Sequence, residues 1–208
     1  MRIEFQGPVG RLEGLVDEPD ESLRGLAIVC HPHPVHGGTM NNTLVYRTAR
    51  ALRAGGFATL RLNFRGVEES EGEHDGQGGE DEDARAALDW LVERYGSDLP
   101  VWAAGYSFGS RTVASLARSE PRIERVLLLA FPVNHYDLRF LTEVTQPVFA
   151  VFGAEDPFGT ASDFARAFPE LVGRVEVAEI QGAEHFFRGR TPLVEDAFRE
   201  YVLEHAPA

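Results

Sequence analysis

The sequence predicts an α/β fold with a mostly parallel central sheet, helices on both faces and an antiparallel hairpin at the N-terminus. The chain has 208 residues, a length that suits one domain spanning residues 1–208. From about residue 25 onward, short apolar runs alternate with helical patterns, which is typical of strands that helices cover on both faces. Residues 2–16 are broken by Gly-Pro and predict the hairpin.

The predicted strands after the hairpin are short apolar runs with the length of buried strands. They are residues 25–30, 58–62, 101–106, 126–131, 148–153 and 175–180. In the last of these, apolar and polar residues alternate more clearly than in the others. We therefore expect this strand to lie at an edge of the sheet.

Helical patterns fill most of the intervals between the strands. Residues 42–54 and 107–118 have an apolar face, and residues 80–95 open with four acidic side chains, which favour the positive end of a helix dipole. A final helix is predicted with Thr191 as its N-cap and Pro192 as its first residue.

The charge of the chain excludes several classes of partner. The formal net charge is −13, and a field of that sign repels nucleic acid and anionic membranes. No apolar run reaches the roughly 18 residues of a membrane span. Between residues 68 and 83, nine of sixteen side chains are Asp or Glu. This run lacks the spacing of a calcium loop and predicts a solvated loop leading into a helix.

The first residues and the cysteine content indicate a compartment. The N-terminal segment MRIEFQGPVG has neither an apolar h-region nor a small-residue cleavage site. Cys30 is the only cysteine, so no internal disulfide can form, and we expect it to be buried and inert. We therefore expect a cytoplasmic protein, and the sequence leaves its oligomeric state open.

Residues 105–109 (GYSFG) fit the G-x-S-x-G pattern. The motif lies directly after a predicted strand and before a predicted helix, which is the context that the nucleophile of a hydrolase requires. A sharp strand-to-helix turn lifts the side chain of Ser107 above the sheet, and the helix N-terminus supplies unpaired N–H groups for an oxyanion. The pattern predicts Ser107 as a catalytic nucleophile.

Five other segments accompany this motif. They are residues 30–34 (CHPHP), 37–40 (GGTM), 63–66 (NFRG), 153–156 (GAED) and 183–185 (AEH). Together with GYSFG, these segments resemble the α/β-hydrolases, and more closely their small lidless bacterial serine hydrolases similar to the dienelactone hydrolase-like group. The resemblance covers about residues 25–205. It implies the α/β-hydrolase fold and ester chemistry, although dienelactone hydrolase itself uses a cysteine where this chain has Ser107.

A serine hydroxyl needs a neighbouring base, and the base needs an orienting acid. In this fold the three residues follow the order Ser, acid, His, which leaves His185 and His205 as candidate bases. His205 lies on a terminal helix that we expect to fray, so His185 is the predicted general base.

The candidate acids follow the predicted strand 148–153. Asp156, Glu155 and Asp163 all lie close behind it, and position alone does not choose among them. The resemblance favours Asp156, because the acid of the family falls near this offset after the glycine.

An oxyanion hole needs two backbone N–H donors. One is predicted to be that of Phe108, the residue after the nucleophile. The other is expected from the loop after strand 25–30, whose two prolines have no N–H. His33 is therefore the predicted second donor, with Gly37 or Gly38 as alternatives.

The substrate pocket is predicted to be an open cleft at the carboxyl ends of the strands. Residues 132–147 separate the sixth and seventh predicted strands and are too few for a helical lid, so we expect no cap domain. The predicted lining is apolar and suits a small or medium acyl ester. It comprises Tyr106, Phe131, Val133, Tyr136, Phe158 and Phe186.

Two other functions remain open. His31, His33 and His36 have the spacing H-x-H-x-x-H, and zinc accepts three imidazoles and a water. However, Val35 stands where metallo-β-lactamase-like hydrolases have an aspartate. The second alternative is a non-catalytic binding protein of the same fold. We expect no metal, because a metal site would leave GYSFG and His185 without a role. We also expect no cofactor, because the glycine-rich phosphate motifs are missing from their strand–helix context.

Arg65 follows the predicted strand 58–62 in NFRG. We expect its guanidinium to hold this loop in place by hydrogen bonds, and recognition of a substrate carboxylate is the alternative.

Overall fold

The computed structural model describes residues 1–76 and 78–207, and an eight-stranded sheet forms its centre. The strands are β1 (Arg2–Gly7), β2 (Gly10–Asp17), β3 (Gly25–Cys30), β4 (Phe57–Leu62), β5 (Val101–Tyr106), β6 (Ile123–Leu129), β7 (Val148–Gly153) and β8 (Val175–Ile180). Their order across the sheet is β1-β2-β4-β3-β5-β6-β7-β8. β1, β2 and β4 pair antiparallel, and every pair from β4 to β8 is parallel. The predicted α/β-hydrolase architecture is confirmed, including the position of β8 at an edge.

Helices cover both faces of the sheet. They are α1 (Thr43–Ala54), α2 (Glu80–Tyr95), α3 (Phe108–Ala117), α4 (Ala161–Ala167) and α5 (Thr191–His205). In β3, Ile28 packs in a core with α2, α3 and α4, and the next residue, Val29, packs in a second core with α1 and α5. Because successive side chains of a strand point to opposite faces, the continuous apolar run of β3 serves both cores.

Several elements differ from the predictions, and β6 begins at Ile123 instead of residue 126. β6 ends at Leu129 rather than at residue 131, because Ala130 has a positive φ of 48° and turns the chain away from the strand. α5 begins at Thr191 with Arg190 as the N-cap, since a turn from Phe187 O to the Arg190 N–H already directs the chain. α4 was not predicted.

The acid-rich segment is only partly solvated. Its residues Glu80 and Asp83, in the first turn of α2, are fully buried, so the prediction of a solvated run was wrong at these two positions. A buried carboxylate needs a hydrogen-bonding or charged partner, and both residues have one, as described below.

The carboxyl edge of the sheet is open to solvent. Between β6 and β7 the chain forms only a short 3-10 helix, Arg139–Glu143, so the expected absence of a cap is confirmed. Among the described residues, no helix is long and apolar enough to cross a membrane.

Candidate active site

Ser107 occupies a strained turn between β5 and α3. Its backbone has φ 54° and ψ −114°, a conformation that costs a non-glycine residue about 1–3 kcal/mol. The flanking glycines allow the turn because the chain passes close to them. A Cβ on Gly105 would lie 2.2 Å from the carbonyl carbon of Gly109, and one on Gly109 would lie 2.3 Å from the carbonyl oxygen of Cys30.

The side chains of Ser107, His185 and Asp156 form one hydrogen-bonded chain. His185 Nδ1 lies 2.7 Å from Asp156 Oδ2, and His185 Nε2 lies 3.0 Å from Ser107 Oγ. A carboxylate accepts only, so Nδ1 carries the ring proton, and Nε2 is left to accept from the serine hydroxyl. His185 is 6% and Asp156 3% exposed, which limits the water that competes for these bonds.

Neighbouring groups hold the imidazole and the carboxylate in place. The hydroxyl of Tyr106 donates to the His185 carbonyl at 3.0 Å, and the Phe158 N–H donates to Asp156 Oδ1 at 2.8 Å. The Phe158 ring also packs on His185, with centroids 4.5 Å apart. Burial raises the pKa of Tyr106, so this residue stays a neutral donor.

The other candidate acids lie elsewhere. Glu155 is exposed. Asp163 accepts from the backbone and side chain of Thr160 in the capping box of α4, and these hydrogen bonds lower its pKa to about 2. His205 stacks on Tyr201 at the end of α5. In the part of the chain that the structure describes, Asp156 is the acid that meets His185.

The two residues predicted to supply the oxyanion donors, Phe108 and His33, are neighbours in the structure. Phe108 is the first residue of α3, where the helix leaves its N–H without a carbonyl partner. The ring of Phe108 packs against His33 at 4.9 Å between centroids. The Gly38 N–H donates to the His33 carbonyl at 3.1 Å and is therefore engaged within the loop, which argues against Gly38 as the alternative donor.

A cleft of about 420 Å³ opens over Ser107. Of the predicted lining residues, Tyr106, Tyr136, Phe158 and Phe186 are there, beside His33 and His185. Other residues line the cleft that were not among the predicted pocket residues, besides Gly37 and Gly38 of the loop after β3. These are Pro32, His36, Asn42, Pro132 and His135. His135 could have been predicted, because it directly precedes Tyr136 in the sequence.

Phe131 and Val133 do not line this cleft, and their prediction was wrong. Phe131 is fully buried in the core beneath α2 and α3. Val133 packs against Gly159, since a Cβ added to Gly159 would lie 2.4 Å from Cγ2 of Val133. The positive φ of Ala130 changes the direction of the chain after β6, so a position near the strand end does not decide which way these side chains point.

The structure argues against the three-histidine metal site. His31 is fully buried, and both of its ring nitrogens are engaged. Nδ1 donates to the Pro32 carbonyl at 2.6 Å, and Nε2 accepts from the Phe64 N–H at 3.1 Å. Burial lowers the pKa of His31 to about 4, so the ring is neutral, yet no lone pair is free for a metal. Within residues 1–76 and 78–207, no group of three His, Cys, Asp or Glu is arranged to hold a metal ion.

Arg65 holds the loop after β4, as the sequence predicted. Its Nε and Nη2 contact the buried carboxylate of Asp83 at 3.0 and 2.7 Å, and Nη2 also donates to the Gly79 carbonyl at 2.5 Å. Arg65 is buried and is absent from the residues that line the cleft. Its bidentate pair joins the loop to α2.

An open parallel sheet, a strained serine turn and a cleft without a cap define a lidless α/β-hydrolase. A family model described as an alpha/beta hydrolase domain matches residues 28–204. The chain belongs to this family and is a hydrolase, which implies a small-molecule substrate.

Individual relatives agree with this assignment. The chain is 36% identical to an alpha-beta serine hydrolase homologue from Coxiella burnetii, with a TM-score of 0.90 over 97% of this chain and 96% of that one. It is 29% identical to a serine hydrolase without lid from Xanthomonas campestris, with a TM-score of 0.90 over 100% and 95%. It is also 35% identical to an uncharacterized protein of Rickettsia prowazekii, over 97% of this chain and 88% of the relative.

Proposed function

We propose that this protein is a serine esterase that hydrolyses small or medium acyl esters, with Ser107, His185 and Asp156 as its catalytic triad. The observation that carries the proposal is the hydrogen-bonded chain from Ser107 Oγ through His185 to Asp156, at a strained turn that faces an open cleft. Similarity to the Coxiella and Xanthomonas serine hydrolases also supports it.

Acylation begins when Ser107 Oγ attacks the ester carbonyl carbon and its proton passes to His185 Nε2. The carbonyl oxygen becomes an oxyanion, which accepts hydrogen bonds from the backbone N–H groups of Phe108 and His33. The carbon–oxygen bond to the alcohol then breaks, and the leaving oxygen takes the proton from Nε2. Asp156 keeps the imidazole in the required tautomer and stabilises its transient charge.

Deacylation repeats these steps with water. Water attacks the acyl carbon while His185 Nε2 takes one of its protons, and a second oxyanion forms. The bond to Ser107 Oγ breaks, the proton on Nε2 returns to this oxygen, and the carboxylic acid leaves. One ester and one water are consumed, and one acid and one alcohol are released.

The lining of the cleft supports uncharged substrates of modest size. Aromatic rings surround Ser107, including those of Tyr136, Phe158 and Phe186. A volume of about 420 Å³ accommodates a short or medium acyl group, and the net charge of −13 disfavours strongly anionic esters at long range.

A fluorophosphonate probe tests the proposal directly. We expect the wild-type protein to gain one phosphonyl group by intact mass and to hydrolyse p-nitrophenyl acetate, and Ser107→Ala to do neither. A protein that is neither labelled nor active would contradict the proposal and favour the non-catalytic binding protein. Labelling that persists in Ser107→Ala would assign the nucleophile to another residue.

A further inference from the structure

The rings of His33, Phe108 and His74 pack against one another. We define the ring cluster as the side chains of His33, Phe108 and His74. Ring centroids are 4.9 Å apart for His33 and Phe108, 5.0 Å for His33 and His74, and 5.8 Å for His74 and Phe108. The third ring therefore contacts the side chains of both residues whose N–H groups are proposed to bind the oxyanion.

His74 is itself held by a buried acid. Its Nδ1 lies 2.5 Å from Oε1 of Glu80, the first residue of α2. Glu80 is fully buried, and the side chain of His74 is only 16% exposed. In the described part of the chain, the second carboxylate oxygen of Glu80 has no hydrogen-bond partner. Burying a carboxylate without a hydrogen-bond partner costs free energy. The contact with Glu80 therefore holds the ring of His74 against the first turn of α2.

Packing also holds the ring of His33. Its Nδ1 is buried, without a hydrogen-bond partner among the described residues. Burial and the neighbouring imidazoles of His36, His74 and His135 lower the pKa of His33 to about 4, so the ring is neutral. Because no hydrogen bond holds Nδ1, the neutral ring of His33 depends on packing against neighbouring rings for its position.

We propose that His74, fastened to Glu80, positions the backbone N–H groups of His33 and Phe108 by packing against both side chains. His74 is a positioning residue, because it does not line the cleft. This inference rests on the proposed function. The loop after β3 and the start of α3 come from distant parts of the chain, and the ring cluster joins them to α2.

The expected effect follows from the geometry that an oxyanion hole needs. Its donors must lie about 2.7–3.1 Å from the developing oxyanion, and a misplacement of about 1 Å can cost about 100-fold in rate. Loss of the third ring should therefore lower kcat and leave KM nearly unchanged, since the ring does not touch the substrate.

Two variants separate the ring from its hydrogen bond. His74→Gln removes the ring and keeps an amide that can donate to Glu80. His74→Phe keeps a ring and leaves Glu80 without its partner. We expect His74→Gln to lower kcat by about 10–100-fold with little change in melting temperature. We expect His74→Phe to retain most of kcat and to lower the melting temperature.

A transition-state analogue tests the oxyanion role specifically. A trifluoromethyl ketone forms an oxyanion adduct with an active serine, and its inhibition constant should rise in His74→Gln by the same factor as kcat/KM falls. The matched control is His205→Gln, which changes another histidine that lies 3.9 Å from a glutamate, Glu176. This control should leave kcat and the inhibition constant unchanged.

Wild-type kcat in His74→Gln would overturn the inference. An equal loss of kcat in His74→Gln and His74→Phe would also overturn it, because the ring would then not be the cause. Complete titration with the fluorophosphonate gives the concentration of folded active sites, so a folding defect is not counted as a loss of kcat. If His74→Phe fails to fold, kcat per titrated site in His74→Gln still decides, and if His74→Gln fails to fold, His74→Leu, which also removes the ring, takes its place. Activity that survives in Ser107→Ala would instead contradict the proposed function.

Discussion

At the scale of single residues, the proposed chemistry depends on which nitrogen of His185 carries the proton. Asp156 accepts at 2.7 Å from Nδ1, and this leaves Nε2 free to take the proton of Ser107. The carboxylate is itself oriented by the N–H of Phe158. The arrangement therefore selects one tautomer of His185 before any substrate binds.

Asp156→Asn should lower kcat for p-nitrophenyl acetate by about 10⁴-fold, because an amide that donates to Nδ1 favours the wrong tautomer. The neighbouring carboxylate provides the matched control. Glu155→Gln changes an exposed residue and should leave the rate unchanged. A wild-type rate in Asp156→Asn, or an equal loss in both variants, would assign the acid to another residue.

At the scale of elements, the turn between β5 and α3 is possible because the backbone of α3 lies against the end of β3. Gly109 lies on α3, and its missing side chain leaves room for the carbonyl oxygen of Cys30. The same approach brings the loop after β3, with His33, next to Phe108. The two glycines of the motif thus set the distance between the nucleophile and the proposed oxyanion donors.

Gly109→Ala should destabilise the protein by about 1–3 kcal/mol or more, because the new Cβ meets backbone that cannot move aside. Helix propensity alone would give the opposite sign, a gain of about 1 kcal/mol. Urea unfolding measures the difference. Gly189→Ala is the comparison, since a Cβ there meets nothing within 4 Å, and its positive φ should cost only about 1 kcal/mol. An unchanged or higher stability of Gly109→Ala would contradict this reading of the turn.

At the scale of the whole molecule, buried histidines couple stability to pH. His31 lies at the end of β3, fully buried, and it links the loop after β3 to the loop after β4 through the Phe64 N–H. Burial lowers its pKa from 6.5 to about 4. The unfolded chain therefore binds a proton at this residue at a pH where the folded protein does not.

The sign of the effect follows from this difference. The contribution of His31 to stability is complete above pH 6.5 and is lost as the pH falls toward 4. Within that window, the free energy of unfolding should decrease by about 1.4 kcal/mol per pH unit for this one proton. His31→Gln cannot bind the proton, so its free energy of unfolding, measured in urea between pH 7 and 4.5, should fall less steeply. Parallel curves for the two proteins would contradict the prediction.

The sequence by itself determined the order of the elements and the candidates for catalysis. Buried strands, helix stops and G-x-S-x-G are local patterns, so the order of the strands and of every helix except α4, and the positions of Ser107 and His185, follow from short stretches of chain. The choice of Asp156 over Glu155 and Asp163 also needed the family resemblance, because three carboxylates near one strand end look alike in the sequence.

Only the tertiary structure decided which side chains meet. Phe131 was predicted in the pocket and lies in the core, because a single positive φ at Ala130 turns the chain after β6. Glu80 belongs to an acidic run that the sequence predicted to be solvated, yet it is buried against His74. The ring cluster joins three segments that are far apart along the chain. Composition and periodicity report local preference, whereas such contacts depend on where separate loops converge at one edge of the sheet.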